Sequence, residues 1–183
     1  IYKAQAGASA PAPELTLRRQ QRYTIPLLGA YQISNAATAI TTLKVAEQNG
    51  LSITNDAIVS GLANVQWPGR LEILNRDPLI IVDGAHNADS AQKLALSLRD
   101  IFGDRMWTLI VGISADKDIP AILDALIPIA ARIIVTRAHN VRAADLDLLA
   151  EKVAQHKAQS LIATTVKAAI DLALNEHNSI IIT

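Results

Sequence analysis

From Leu71 onward, short runs of aliphatic residues alternate with stretches in which apolar positions recur every three or four residues. Leu71–Leu74, Leu79–Val82, Trp107–Val111, Ile133–Thr136, Leu161–Ala163 and Ser179–Ile182 read as strands. Between them, Ala91, Leu94, Ala95, Leu98, Ile101 and Phe102 share one helical face, as do Leu146, Leu149, Ala150 and Val153, and then Val166, Ala169, Ile170, Ala173 and Leu174. Asn87 and Asp118 precede helical runs as N-caps, Pro120 suits a first turn, and Pro128 stops the helix that it begins. Strands alternating with helices predict an α/β fold with a mostly parallel sheet covered by helices on both faces. Right-handed crossovers then bring the loops after Val82, Val111 and Val135 to one rim.

Before Leu71 the pattern differs. Residues 1–13 are rich in Ala with Pro11 and Pro13, which predicts an irregular lead-in. Tyr23–Ile25 is a short strand candidate limited by Pro26. A long helix follows Gly29, with Ile33, Ala36, Ala37, Ile40 and Leu43 on one face, Ser34 expected as its N-cap, Asn35 in its first turn and Asn49-Gly50 at its end. A second helix, capped by Thr54 or Asn55, buries Ile58, Val59 and Leu62. Trp67-Pro68-Gly69-Arg70 breaks the helical pattern, and Pro-Gly at its centre suits a type II turn with positive φ at Gly69. We place a domain boundary there, dividing residues 1–66 from 67–183.

Composition narrows the function classes. The 183 residues are 50% hydrophobic, enough for a substantial core, and carry 17 basic against 17 acidic side chains. Neither a basic stripe for nucleic acid nor a polybasic run for a membrane surface is present. The absence of cysteine excludes disulfides and thiolate metal sites and is compatible with a cytoplasmic protein. No apolar run reaches the ~20 residues of a membrane-spanning helix. The chain begins with Ile and shows no signal peptide, so it is expected to be an internal or C-terminal piece of a longer polypeptide.

Three polar residues stand at informative places. Asp83 follows the Leu79–Val82 strand at its carboxyl end, the rim where open parallel sheets bind ligands, and Asp there can accept from ribose hydroxyls. Arg70 follows the Trp-Pro-Gly turn, and its planar fork fits phosphate oxygens. Asn35 offers an amide that both donates to and accepts from an adenine edge. Together they would form a nucleotide site shared by two domains. Taken singly, each also reads as a helix-start residue, a surface ion-pair partner or a turn former. His86 lies in the same turn as Asp83, beside a helix start that favours anions.

Gly29-Ala30-Tyr31-Gln32 followed by Asn35-Ala36-Ala37, then Trp67-Pro68-Gly69-Arg70-Leu71-Glu72, Asp83-Gly84-Ala85-His86-Asn87 and Asp116-Lys117-Asp118 occur in that order. From Leu27 onward this resembles the C-terminal portion of the folylpolyglutamate synthase/dihydrofolate synthase family, within the Mur ligase superfamily. Tyr31 stands where that family commonly has His, and Ala88 where it commonly has Pro. The resemblance implies a Rossmann-like domain over 67–183 that binds glutamate, preceded by the tail of a central ATP-binding domain. It implies an ADP-forming amide ligase in which ATP phosphorylates a carboxylate of folate or dihydropteroate and the amine of L-glutamate attacks the acyl phosphate. By position, Asn35 would face adenine, Arg70 the phosphates and Asp83 the ribose. His86 would stand by the acyl phosphate or the glutamate as a catalytic group, and Lys117 would bind a glutamate carboxylate. ATP and Mg²⁺ are the implied cofactors. No Gly is followed by Lys, so the family's phosphate-cradling loop and most of the Mg²⁺ site are expected outside this chain, with no metal ligands assigned within it. The alternatives are the matching domain of a cell-wall Mur ligase and a non-catalytic Rossmann-like module that binds a small ligand or partner.

Overall fold

The computed structural model describes residues 14–17, 21–175 and 178–183; the irregular lead-in expected over 1–13 lies outside them. In chain order the elements are strands β1 (Glu14–Leu17) and β2 (Gln21–Thr24), helices α1 (Tyr31–Gln48) and α2 (Asn55–Ala63), strands β3 (Glu72–Arg76) and β4 (Leu79–Val82), and helix α3 (Ala88–Phe102). Then come β5 (Trp107–Val111), α4 (Ile119–Leu126) with a 3₁₀ turn over Ile127–Ile129, β6 (Ala130–Val135), α5 (Leu146–Gln155), β7 (Ser160–Ile162), α6 (Val166–Leu174) and β8 (Ile180–Ile182). The larger sheet runs β3-β4-β8-β5-β6-β7. Only β3 is antiparallel to its neighbour; the other pairs are parallel.

Side-chain alternation along the central strands sorts the helices. Leu109, Val111, Ile133, Val135, Ile81 and Ile181 join the cluster built with α3, α4 and α5. Ile110, Ile134 and Ile180, which point the other way, join the cluster built with Ala169 and Ala173 of α6. Every residue of β5 is buried, as expected for a strand covered on both faces. Small residues on α6 let that helix approach the sheet closely. On the opposite face, α3 contributes Leu94 and Leu98, both fully buried, each stabilising by ~1.5–3 kcal/mol. Phe102 and Trp107 close its end edge to face, with centroids 5.6 Å apart.

The segment before Trp67 forms a small antiparallel ribbon, β1 with β2, against the two helices α1 and α2. Its own core is Tyr23, Ile40 and Ile58, and the Tyr23 hydroxyl donates to Asn55 Oδ1 at 3.2 Å. Thr54 caps α2 by accepting from the Ala57 N–H. The expected cap of α1 is corrected: the helix begins at Tyr31, not after Ser34. Gly29, at φ +96°, turns the chain so that its carbonyl and that of Ala30 accept from Gln32 and Ile33 directly. Asn35 therefore lies in the second turn of α1.

Several strand edges also move. Leu71 has φ +46° and cannot extend a ladder, so β3 starts at Glu72, and β6 starts three residues before Ile133, at Ala130. His156 has a side chain 21% exposed and clasps two helices. Its Nδ1 lies 2.8 Å from the Lys152 carbonyl oxygen and its Nε2 lies 2.8 Å from Asp124 Oδ1. Two acceptors require two ring N–H donors, and accordingly the Lys152 carbonyl and the Asp124 carboxylate raise the His156 pKa above 6.5. A raised folded-state value means the clasp contributes fully below pH 6.5 and is lost as pH rises through that higher value. Thermal unfolding of the chain at pH 6 and at pH 8.5 checks this: Asp124→Asn lowers Tm more at pH 6 than at pH 8.5.

Candidate functional site

The parallel strands β4, β8, β5 and β6 end on one rim, and their outgoing residues knit it together. Asp83 N donates to the Ile182 carbonyl, Thr183 N to Ile110, Gly112 N to Thr183 and Thr136 N to Val111, at 2.9–3.0 Å. On this rim the turn 83–87 is fixed at both ends. Asn87 and Ser90 form a reciprocal capping box at the start of α3: Ser90 N donates to Asn87 Oδ1 at 2.8 Å and Asn87 N to Ser90 Oγ at 3.1 Å. His86 N donates to the same Ser90 Oγ, and the Thr183 hydroxyl donates to the Ala85 carbonyl.

The Trp67–Glu72 segment is bound to that turn from the other side. Gly69 adopts φ +72°, as the Pro-Gly pair requires, and its N–H donates to Glu72 Oε2 at 2.7 Å. Gly84 N donates to the Gly69 carbonyl at 2.8 Å, and Leu71 N donates to Asp83 Oδ2 at 2.8 Å. Asp83 is 6% exposed. Burial raises its pKa, against the lowering effects of the Leu71 and Ala85 N–H groups and of the nearby Arg70 and His86. One carboxylate oxygen is thus committed to holding Leu71, whose positive φ otherwise costs ~1–3 kcal/mol.

Arg70 is held above the same turn. A Cβ placed on Gly84 would lie 3.9 Å from Arg70 Nη1, and the guanidinium carbon stands 6.0 Å from the centre of the exposed Trp67 ring. His86 Nδ1 is 2.9 Å from the Gly84 carbonyl oxygen. In the neutral ring Nδ1 is therefore the donor, which leaves Nε2 as the lone-pair nitrogen. Asp83, Arg70 and His86 form one electrostatic neighbourhood.

Tyr31 belongs to it as well. Burial and then the Asp83 carboxylate push the phenol up from its ordinary pKa, while Arg70 and the Gln32 side chain pull it down. Asn35 is exposed and donates its Nδ2–H to Gln32 Oε1 at 2.8 Å, so it meets the cluster through Gln32 and Tyr31. Lys117 stands apart from this group. It lies on the β5–α4 loop of the same rim and pairs with Asp116 at 3.1 Å, holding the Asp116 carboxyl below the usual carboxylate range. Tyr31 and Gln32 sit inside the Gly29–Gln32 motif and Glu72 inside the Trp67–Glu72 motif, yet residue type alone gives them no role. Gln32 and Asn35 do show a signal, the three-residue spacing at which helical amides bond. Among the described residues, no group of three or more His, Cys, Asp or Glu side chains could hold a metal ion.

Comparison with known proteins places this rim in a family. Residues 69–183 match the family model described as Mur ligase, glutamate ligase domain. The chain belongs to that family. The chain is 46% identical over 103 residues to folylpolyglutamate synthase of Lacticaseibacillus casei, covering 56% of this chain and 24% of the relative. It is 32% identical over 153 residues to dihydrofolate synthase/folylpolyglutamate synthase of Mycobacterium tuberculosis, covering 81% and 31%. A solved M. tuberculosis folylpolyglutamate synthase complexed with ADP superposes with TM-score 0.79 at 29% identity, over 88% of this chain and 39% of that one. A bifunctional folylpolyglutamate synthase/dihydrofolate synthase with Mn, AMPPNP and L-glutamate bound superposes with TM-score 0.68 at 25% identity, over 90% and 39%. The chain thus spans between 24% and 39% of the length of these relatives. No helix among the described residues is long and apolar enough to cross a membrane.

The bond from Asp83 to Leu71 can be tested apart from any reaction. Asp83→Ala leaves the Leu71 N–H unpaired and costs ~1–3 kcal/mol in urea unfolding of this chain. Asp83→Asn keeps an oxygen acceptor and removes a charge whose burial is unfavourable, so it costs less than half as much.

Proposed function

We propose that this chain is the C-terminal portion of an ADP-forming folylpolyglutamate/dihydrofolate synthase, and that its rim takes part in joining L-glutamate to folate or dihydropteroate. The observation that carries the reading is the convergence of Asp83, Arg70, His86 and Tyr31 where the Trp67–Glu72 turn meets the strand ends. Residues 1–66 then belong to the central ATP-binding domain and 67–183 to the glutamate-binding domain. The family match beginning at Gly69 supports this division. The names of the relatives favour folate over a cell-wall muropeptide, and the nucleotide and L-glutamate held by related structures support the same ligands here.

In this reading Arg70 neutralises phosphate charge, held over Gly84 so that little ordering remains to be done on binding. Asp83 has one oxygen fixed by Leu71 N and offers the other to ribose hydroxyls. Asn35 faces the adenine. The Nε2 lone pair of His86 receives a proton from the glutamate ammonium, and the Nε2–H so formed donates a bond to the acyl phosphate. Lys117, two strands along the rim, takes a glutamate carboxylate after exchanging its contact with Asp116. Phosphoryl transfer to a carboxylate depends mainly on positioning and charge neutralisation, and these side chains supply both. The Mg²⁺ that accompanies ATP finds no ligand cluster among the described residues, so its ligands and the phosphate-cradling loop fall to the remainder of the enzyme. In this reading the protein works in the cytoplasm.

The test is ligation by the intact enzyme that contains this chain. Glutamate-dependent ADP release with folate or dihydropteroate, and none with a muropeptide precursor, is the expected result; the reverse preference overturns the folate reading. Arg70→Ala in that enzyme removes a charge-assisted contact worth ~1.5–3 kcal/mol, lowering kcat/KM for ATP roughly ten- to a hundredfold. The purified chain of 183 residues alone is expected to release no ADP.

A further inference from the structure

Gln32 is a polar side chain in an apolar place. It lies in the first turn of α1 and is 5% exposed. Burying an amide there is unfavourable unless its groups are bonded. Its Oε1 accepts from Asn35 Nδ2 at 2.8 Å. The same side chain lies beside the Tyr31 phenol and lowers its pKa. The ring of Tyr31 is in turn seated against Gly29, where a Cβ would fall 2.6 Å from the ring edge.

This fixes which way the Asn35 amide faces. An Asn side chain presents a carbonyl oxygen on one side and an NH₂ on the other. With one Nδ2–H committed to the buried Gln32, Oδ1 and the second Nδ2–H of the exposed Asn35 amide remain for a ligand, with Oδ1 turned away from Gln32. Adenine carries an amine donor at its 6-position, whereas guanine and hypoxanthine carry an oxygen acceptor there.

We propose that Gln32 is a positioning residue that holds the Asn35 amide oxygen toward the purine base and so selects a 6-amino over a 6-oxo nucleoside triphosphate. The proposal rests on the reading of Asn35 as the base contact. A 6-oxo base at that oxygen would set oxygen against oxygen, and turning the amide over to relieve this would break its bond to Gln32. A group built to pair with one partner rejects its unpaired analogue more strongly than a merely hydrophobic pocket would.

Initial rates of the intact enzyme with ATP and with ITP, which differ in the 6-substituent, decide the matter. The wild type should prefer ATP. Gln32→Met removes the acceptor at similar size, and we expect KM for ATP to rise roughly three- to tenfold and the ATP/ITP preference to fall toward one. KM for glutamate and kcat should hold. Gln32→Glu keeps an acceptor oxygen for Asn35 and should restore the preference. Gln32→Asn, whose shorter amide falls short of Asn35, should lose it, and serves in place of Gln32→Met if that variant does not fold. Asn35→Ala separates the two readings. If it abolishes the preference while Gln32→Met and Gln32→Asn keep it, the role of Gln32 is overturned and the base contact stands. If Asn35→Ala leaves the preference intact, the base contact fails and the proposal with it. A wild type indifferent to ATP and ITP, or Gln32 variants that raise KM for glutamate as much as for ATP, overturns the proposal.

Discussion

The carboxylate of Asp83 accepts the N–H of Leu71, and much of the rim depends on that single bond. It joins two stretches that are distant in sequence: the turn closed by Gly69 and Glu72, and the strand end that opens into α3. The bond steadies an unfavourable backbone conformation at Leu71 and seats Leu71 in the core, where it is 1% exposed. It also aims Arg70 back across Gly84. An ionised carboxylate with little exposure is expensive to keep, and here several partners share the cost: two backbone N–H groups, a guanidinium and an imidazole. Structural and chemical duties thus fall on the same two oxygens.

This doubling explains which parts of the site could be read from residue order. Asp83 at a strand terminus followed by Gly84 and an Asn87 cap is a local pattern. The capping box at α3 forms among residues three apart, and the structure realises it with Ser90 as the reciprocal partner. The alternation in β5 and β6 likewise settles which side chains face α3–α5 and which face α6. What local order could not supply were pairings across distance or through unusual backbone. The bond to Leu71 spans twelve residues, and the Thr183 hydroxyl reaches Ala85 from the far end of the described chain.

The start of α1 departs from the expected cap for a related reason. Ser34 has the chemistry of a cap, but Gly29 in a left-handed conformation starts the helix at Tyr31 with backbone carbonyls alone, four residues before Asn35. That shift puts Tyr31 at the helix start, within the electrostatic reach of Asp83, and turns Gln32 inward. His156 shows the same limit on the other side of the molecule. Nothing near it in the chain announces Asp124, which belongs to the preceding helix.

The order of the strands has a consequence for how the sheet is assembled. β4 and β5 never touch as neighbours, because β8 lies between them, Ile180 pairing with Ile80 on one side and Thr108 on the other. Until that strand emerges from the ribosome, the β3–β4 hairpin and the β5–β6–β7 trio remain two separate half-sheets, each with an open apolar edge. Their union waits on a three-residue insert whose contacts are among the most distant in the chain, the kind of closure that slows folding. A nascent chain would therefore carry an unfinished seam through the middle of this sheet from the emergence of β5 until β8 follows.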